Sequence, residues 1–108
     1  MNALSLPGGR VYITRGLYAE LVRDDLLAAV LAHEMAHLTS GDHFKPPCGS
    51  LTEALRRELS ADAGAASLLQ AAGISPGALC TVVMITERAQ PPGWAGIRVA
   101  AVGQLARR

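Results

Sequence analysis

Aromatic residues are scarce, with one Trp, one Phe and two Tyr making up 4% of the chain, so the core must be assembled mainly from Ala, Leu and Val. Small aliphatic side chains of that kind suit closely packed helices. Charge of one sign is also missing. Ten basic residues, nine of them arginine with Lys45 as the single lysine, stand against nine acidic ones. No dominant field results, so attraction to nucleic acid or to an anionic membrane is not expected. Cysteine is limited to Cys48 and Cys80, which are 32 positions apart and lack the CxxC spacing of a zinc knuckle or redox pair. The longest uncharged run, 63–86, is broken by Gly73-Ile74-Ser75-Pro76-Gly77 and interrupted by Ser67 and Gln70, which argues against a membrane span. A basic-then-apolar leader is absent at Met1, so a soluble, cytoplasmic protein is expected. Internal repeats and low-complexity linkers are absent too, and residues 1–108 read as a single domain. Gly8-Gly9 lacks the rest of a phosphate loop, and neither cysteine lies in a nucleophile setting.

What is present divides into a ribbon and several helices. Asn2–Leu6, the turn Pro7-Gly8-Gly9 and Arg10–Thr14 predict a β-hairpin. Two strands alone are marginal, so the ribbon must lie on helices. Leu17–Val22 predicts a short helix, and Asp24 or Asp25 caps a longer one that runs to Ser40 and ends at Gly41. Ser50-Leu51-Thr52-Glu53 fits a capping box opening a helix that lasts to Gly73. Ser75-Pro76 opens another helix, stopped near Gln90 by Pro91-Pro92. A last amphipathic segment, Trp94–Arg107, places Ile97, Ala101, Val102 and Leu105 on one side. The fold class expected is α+β, mostly helical, with an N-terminal hairpin.

The sharpest motif is His33-Glu34-Met35-Ala36-His37, inside the expected long helix. Residues four apart on a helix lie about 40° from eclipsed, so both imidazoles project from one face and grip one ion. Zinc takes neutral imidazole, and Glu34, one position from His33, reaches solvent in the open coordination site. Two imidazoles leave the ion one protein ligand short, and two candidates supply it. Glu58 lies 21 residues after His37 on the next helix, with Asp62 one turn later to accept a hydrogen bond from a ligand imidazole. His43 falls six residues after His37, the metzincin spacing, although Gly41 sits one position later than that pattern wants.

Asn2–Gly9 with Val11–Leu17, then His33–His37, then Glu58-Leu59-Ser60-Ala61-Asp62 together resemble the gluzincin metallopeptidases of the HtpX and CAAX prenyl endopeptidase family, in a minimal soluble form similar to the minigluzincins. The resemblance implies a zincin-like domain with one zinc ion held by His33, His37 and Glu58. It also implies Glu34 as general base and acid, and Asp62 behind the ligands. Asn2 resembles the family's asparagine that contacts substrate backbone, and the hairpin edge would pair with an extended substrate. The family often carries His-Pro where this chain has Gln90-Pro91-Pro92. Oxyanion stabilisation is therefore expected from Gln90, Arg98, Tyr12 or Tyr18.

The expected function is a zinc endopeptidase acting on extended or unfolded polypeptide. The alternative is a latent, zinc-stabilised module that binds peptide strands without cutting them. An exposed edge strand and an apolar last helix also allow a homodimer.

Overall fold

The computed structural model describes residues 2–106. Their order is β1 (Ala3–Leu6), β2 (Arg10–Ile13), α1 (Arg15–Glu20), α2 (Asp24–Thr39), α3 (Leu51–Ala71), α4 (Gly77–Ile85) and α5 (Trp94–Ala106), with 3-10 turns at Asp42–Phe44 and Glu87–Ala89. The class is α+β with helix dominant, as expected.

The hairpin is antiparallel, pairing Ala3 with Ile13, Leu4 with Tyr12, Ser5 with Val11 and Leu6 with Arg10. Its turn needs two positive backbone angles, which Gly8 (φ 97°) and Gly9 (φ 84°) supply. Alternation puts Ala3, Ser5, Val11 and Ile13 on the face toward the helices and Leu4, Leu6, Arg10 and Tyr12 on the other. The Thr14 amide donates to Asn2 O at 2.8 Å. In an antiparallel ladder hydrogen-bonded pairs alternate, so Asn2, Leu4 and Leu6 bond across to β2, and the backbone groups of Ala3 and Ser5 point to the free edge of β1.

Helix boundaries are set by side chains that take the backbone groups left over at each end. Thr14 Oγ1 accepts from the Leu17 amide, so α1 starts and ends about two residues earlier than expected. The N-cap of α2 is Arg23 and has no side-chain cap bond; Asp24 and Asp25 lie in the first turn, where carboxylates favour the positive helix end. Gly41 follows α2 in the left-handed conformation (φ 69°). At α3, Ser50 Oγ accepts from the Glu53 amide, but Glu53 reaches back to the Gly49 amide rather than to Ser50, so the capping box is displaced by one residue. A Schellman motif closes α3, with Ile74 N on Leu69 O and Gly73 N on Gln70 O.

Two expectations need correction. Helix α4 stops at Ile85 rather than near Gln90: the Gln90 side chain folds back, Nε2 donating to the Val83 carbonyl that the next turn of helix would use. The buried face of α5 is Ala95, Arg98 and Val102, whereas Ile97 is exposed. The helix is rotated by the anchoring of Arg98 on Asp62. Arg107, included in the expected last helix, lies outside the described residues.

The buried cluster draws Leu17 from α1, Leu26, Ala29 and Val30 from α2, Ala65 and Leu69 from α3, Leu79 and Val82 from α4 and Val102 from α5, with Ala3 and Ile13 of the hairpin against it. Alanine at these contacts lets the helices approach closely. At the α2–α3 crossing, a Cβ on Gly64 would stand 3.1 Å from Ala36 Cβ. That close approach brings residues of α3 within reach of the histidines of α2. Among the described residues no helix is long and apolar enough to cross a membrane.

Candidate metal centre

His33 and His37 project from one face of α2, their rings edge to face with centroids 4.7 Å apart. Their Nε2 atoms are 3.1 Å apart. Glu58 Oε2 lies 3.0 Å from His33 Nε2, and Glu58 Oε1 lies 3.3 Å from His37 Nε2. Two ligands of a tetrahedral zinc at about 2.0–2.1 Å stand about 3.3 Å from each other, which the two Nε2 atoms match, while each ring has one of the two Glu58 oxygens at a like distance. Among the described residues this is the group of His, Asp, Glu or Cys whose donor atoms converge in that way.

The opposite sides of both rings are engaged by carboxylates. His37 Nδ1 meets Asp42 Oδ2 at 2.7 Å, and Asp42 Oδ1 meets Lys45 Nζ at 2.6 Å. His33 Nδ1 lies 2.9 Å from Asp62 Oδ1, but off the line of a good hydrogen bond, so it is a buried nitrogen without a well-directed partner. A ring whose Nδ1–H faces a carboxylate carries its lone pair on Nε2. With both rings neutral, two lone pairs and a carboxylate face one point, a convergence that needs positive charge, supplied by a metal ion or by protons on the rings.

Electrostatics point the same way. Burial opposes charge on His33, but the carboxylates of Asp62 and Glu58 close beside it outweigh that and hold its pKa up at about 9. His37 is also raised, by its bond to Glu58 against the opposing effect of burial. Burial works to raise Glu58, yet the two imidazoles hold it well below the usual carboxylate range. Asp62 is likewise depressed, Arg98 outweighing burial. With neutral imidazoles, the four carboxylates Glu34, Asp42, Glu58 and Asp62 face two fixed cations, Lys45 and Arg98. The deficit is two positive charges, which protons on both imidazoles supply in the metal-free site and one divalent ion would supply in their place. The donor set thus fits zinc in geometry, chemistry and charge.

A cavity of about 410 Å³ opens over the three donors, bounded by β1, α2, α4 and the start of α5. Glu34 lines it and is buried, yet its carboxylate has no hydrogen-bond or ion-pair partner among the described residues.

The remaining sequence candidates fall into different places. Asn2 lines the cavity with Oδ1 accepting from the Ala3 amide at 2.9 Å. His43 lines it too, but stands outside the converging group and bonds Ser5 Oγ through Nε2 at 2.9 Å. Tyr12 and Tyr18 do not line the cavity; Tyr12 faces outward on β2 because strand alternation gives the inner positions to Val11 and Ile13. Gln90 does line it, but Nε2 donates to Val83 O and Thr86 Oγ1 while Oε1 accepts from Arg98 Nη1, so no amide proton is left for an oxyanion. Arg98 lines the cavity, is buried and makes two hydrogen bonds to Asp62, Nε to Oδ2 at 2.7 Å and Nη2 to Oδ1 at 2.8 Å, with Nη2 3.6 Å from Glu58 Oε2. Asp42 and Lys45 were not singled out from sequence. Asp42 directly after Gly41 was the available signal, since a left-handed turn folds the following residue back under His37. Cys48 and Cys80 are both free thiols.

The profile of Peptidase family M48 matches residues 1–55, from the hairpin through the helix of His33 and His37 to the first turn of α3, stopping before Glu58. A stretch of 36 residues, 33% of the chain, is 53% identical to the protein named mitochondrial metalloendopeptidase OMA1 of Schizosaccharomyces pombe. The match spans only 11% of that relative's length. No solved structure gives a match. A family profile covering half the chain, centred on the helix that carries His33 and His37, shows that the chain belongs to Peptidase family M48.

Proposed function

We propose that the chain is a zinc-dependent metalloendopeptidase that cuts extended or unfolded polypeptide, with His33, His37 and Glu58 as ligands of one zinc ion. The observation that carries this reading is the convergence of His33 Nε2, His37 Nε2 and the Glu58 carboxylate beneath a cavity that Glu34, without a partner among the described residues, also lines. Family membership and the name of the matching relative, a metalloendopeptidase, support it.

Bound zinc supplies Lewis-acid polarisation of the scissile carbonyl and lowers the pKa of water. Glu34 takes a proton on its carboxylate from the attacking water and returns it to the leaving amine. Its freedom from other partners is what that role requires. Asp62 and Asp42 hold the two imidazoles from behind, so that each presents Nε2 and keeps Nδ1 for the carboxylate. Arg98 neutralises Asp62. The substrate lies extended along β1, whose Asn2–Ser5 segment lines the cavity and whose free edge offers the backbone groups of Ala3 and Ser5. Pairing through backbone groups is largely blind to side-chain sequence, which suits unfolded chains as substrates.

A second reading, a zinc-stabilised module that captures peptide strands with little turnover, is favoured by one observation: both amide protons of Gln90 are consumed, and Arg98 is fixed on Asp62. Digestion of casein separates the two. Cleavage by the zinc-loaded protein, abolished by a chelator and by Glu34→Gln, is the expected result. Equal inactivity of wild type and Glu34→Gln, with zinc bound to both, would establish the second reading.

A further inference from the structure

His43 is the histidine that the metal cluster leaves out. It sits in the 3-10 turn Asp42–Phe44 after α2, lines the cavity, and contacts β1 through a single bond, Nε2 to Ser5 Oγ at 2.9 Å. Its chain neighbour Asp42 holds His37. One short turn therefore grips a zinc-facing imidazole with one residue and the cavity-side strand with the next.

The residue it grips on β1 is not arbitrary. Hydrogen-bonded pairs alternate along the hairpin, so only Ala3 and Ser5 turn their backbone groups to the free edge. The Ala3 amide is already taken by Asn2 Oδ1. What remains for an incoming strand is the Ala3 carbonyl together with the amide and carbonyl of Ser5. Among the described residues Ser5 is thus the one position of the edge with both backbone groups unclaimed by β2 or a side chain; its side chain bonds His43, and the residue as a whole is 5% exposed.

We propose that His43 is a positioning residue that locks the docking strand in register with the metal centre. Through Ser5 Oγ it fixes the height and sideways placement of the Ser5 backbone pair relative to His37, and so decides which peptide bond of a strand lying on β1 reaches the three donors. Asn2 ends the available edge by occupying the Ala3 amide. The occupant is one extended peptide segment, recognised by main chain, with its register set at Ser5. This rests on β1 being the substrate-pairing edge.

The test measures binding rather than turnover. On a zinc-loaded Glu34→Gln parent, the affinity for a fluorescein-labelled unfolded casein peptide is compared with that of the same parent carrying His43→Ala, Ser5→Ala, both together, or His43→Gln. Zinc content and circular dichroism are read for each, and protection of the Ser5 amide is followed by NMR on peptide addition. Each single Ala variant should weaken binding roughly 3- to 10-fold, the scale of one hydrogen bond's positioning effect. The double variant should be no weaker than either single one, His43→Gln should recover most of the loss, and zinc should stay bound throughout. Unchanged affinity in all variants, with the Ser5 amide still protected by peptide, would overturn the lock and leave the edge reading standing. A parent that binds peptide without protecting Ser5, or binds none, would reject the edge reading and the lock with it. Loss of zinc from His43→Ala would overturn the lock by making His43 a ligand.

Discussion

Loading the site with a divalent metal at neutral pH should expel protons, and the number follows from the geometry. In the metal-free protein Asp62 and Glu58 outweigh the burial of His33 and hold its pKa at about 9. At pH 7, two units lower, only about 1% of that imidazole is neutral. His37 is raised as well. A metal ligand must be neutral, so binding releases close to one proton from His33 and a further part of one from His37. The competition weakens apparent affinity at pH 7 by about a hundredfold, or roughly 3 kcal/mol. Affinity should climb by at least about one decade per pH unit from pH 6.5 and level off above pH 9. Titration calorimetry with zinc in two buffers of different ionisation enthalpy counts the protons directly. Heats that agree between buffers at pH 7, or an affinity that is flat from pH 7 to 9, would refute the argument. The same shift carries a sign for the stability of the metal-free chain. His33 has a folded pKa above its unfolded value of 6.5, so its stabilisation is complete below about pH 6.5 and disappears as pH rises through about 9. Glu58 is depressed, and its contribution is lost in the other direction, on acidification below the usual carboxylate range. Chemical denaturation of chelated protein should accordingly show lower stability at pH 9.5 than at pH 6.5.

Two substitutions probe the groups behind the ligands. Arg98→Met leaves the carboxylate of Asp62, 1% exposed, buried without its guanidinium, which should cost about 3–5 kcal/mol. At about 4–8 °C per kcal/mol, thermal unfolding followed by circular dichroism should fall by more than 10 °C; a drop under about 5 °C would show that the pair is dispensable. Asp42→Asn removes the carboxylate from His37 Nδ1 at a half-buried turn, and zinc affinity in a chelator competition should fall about 10- to 100-fold with the fold intact. A change below about threefold would mean that His37 needs no such partner.

Local signals told most of the fold. The apolar spacing that makes α2 and α3, the Ser50 cap, the glycine turns and the two histidines four apart all depend on residues within one or two turns of each other, and chain geometry fixes their relation before anything packs. The errors arose where side-chain hydrogen bonds intervened, within seven residues at α4 and across 36 at α5. Helix α4 ends early because Gln90 takes the Val83 carbonyl, and α5 is rotated because Arg98 seeks Asp62 on another helix. The apolar pattern of α5 alone favours Ile97, since hydrophobic periodicity carries no information about a buried ion pair 36 residues away.

The amino-acid sequence by itself determined that one helix would present two imidazoles and a carboxylate at fixed angles, because 3.6 residues per turn leave no other arrangement. Only the tertiary structure decided that Glu58 rather than His43 joins them, that Asp42 and Asp62 back the two rings, and that His43 holds Ser5 instead. Those outcomes depend on where α3, the turn after α2 and the hairpin come to rest. That in turn depends on how closely Gly64 lets α3 approach Ala36 and on burial summed over the whole core, which no short stretch of chain encodes.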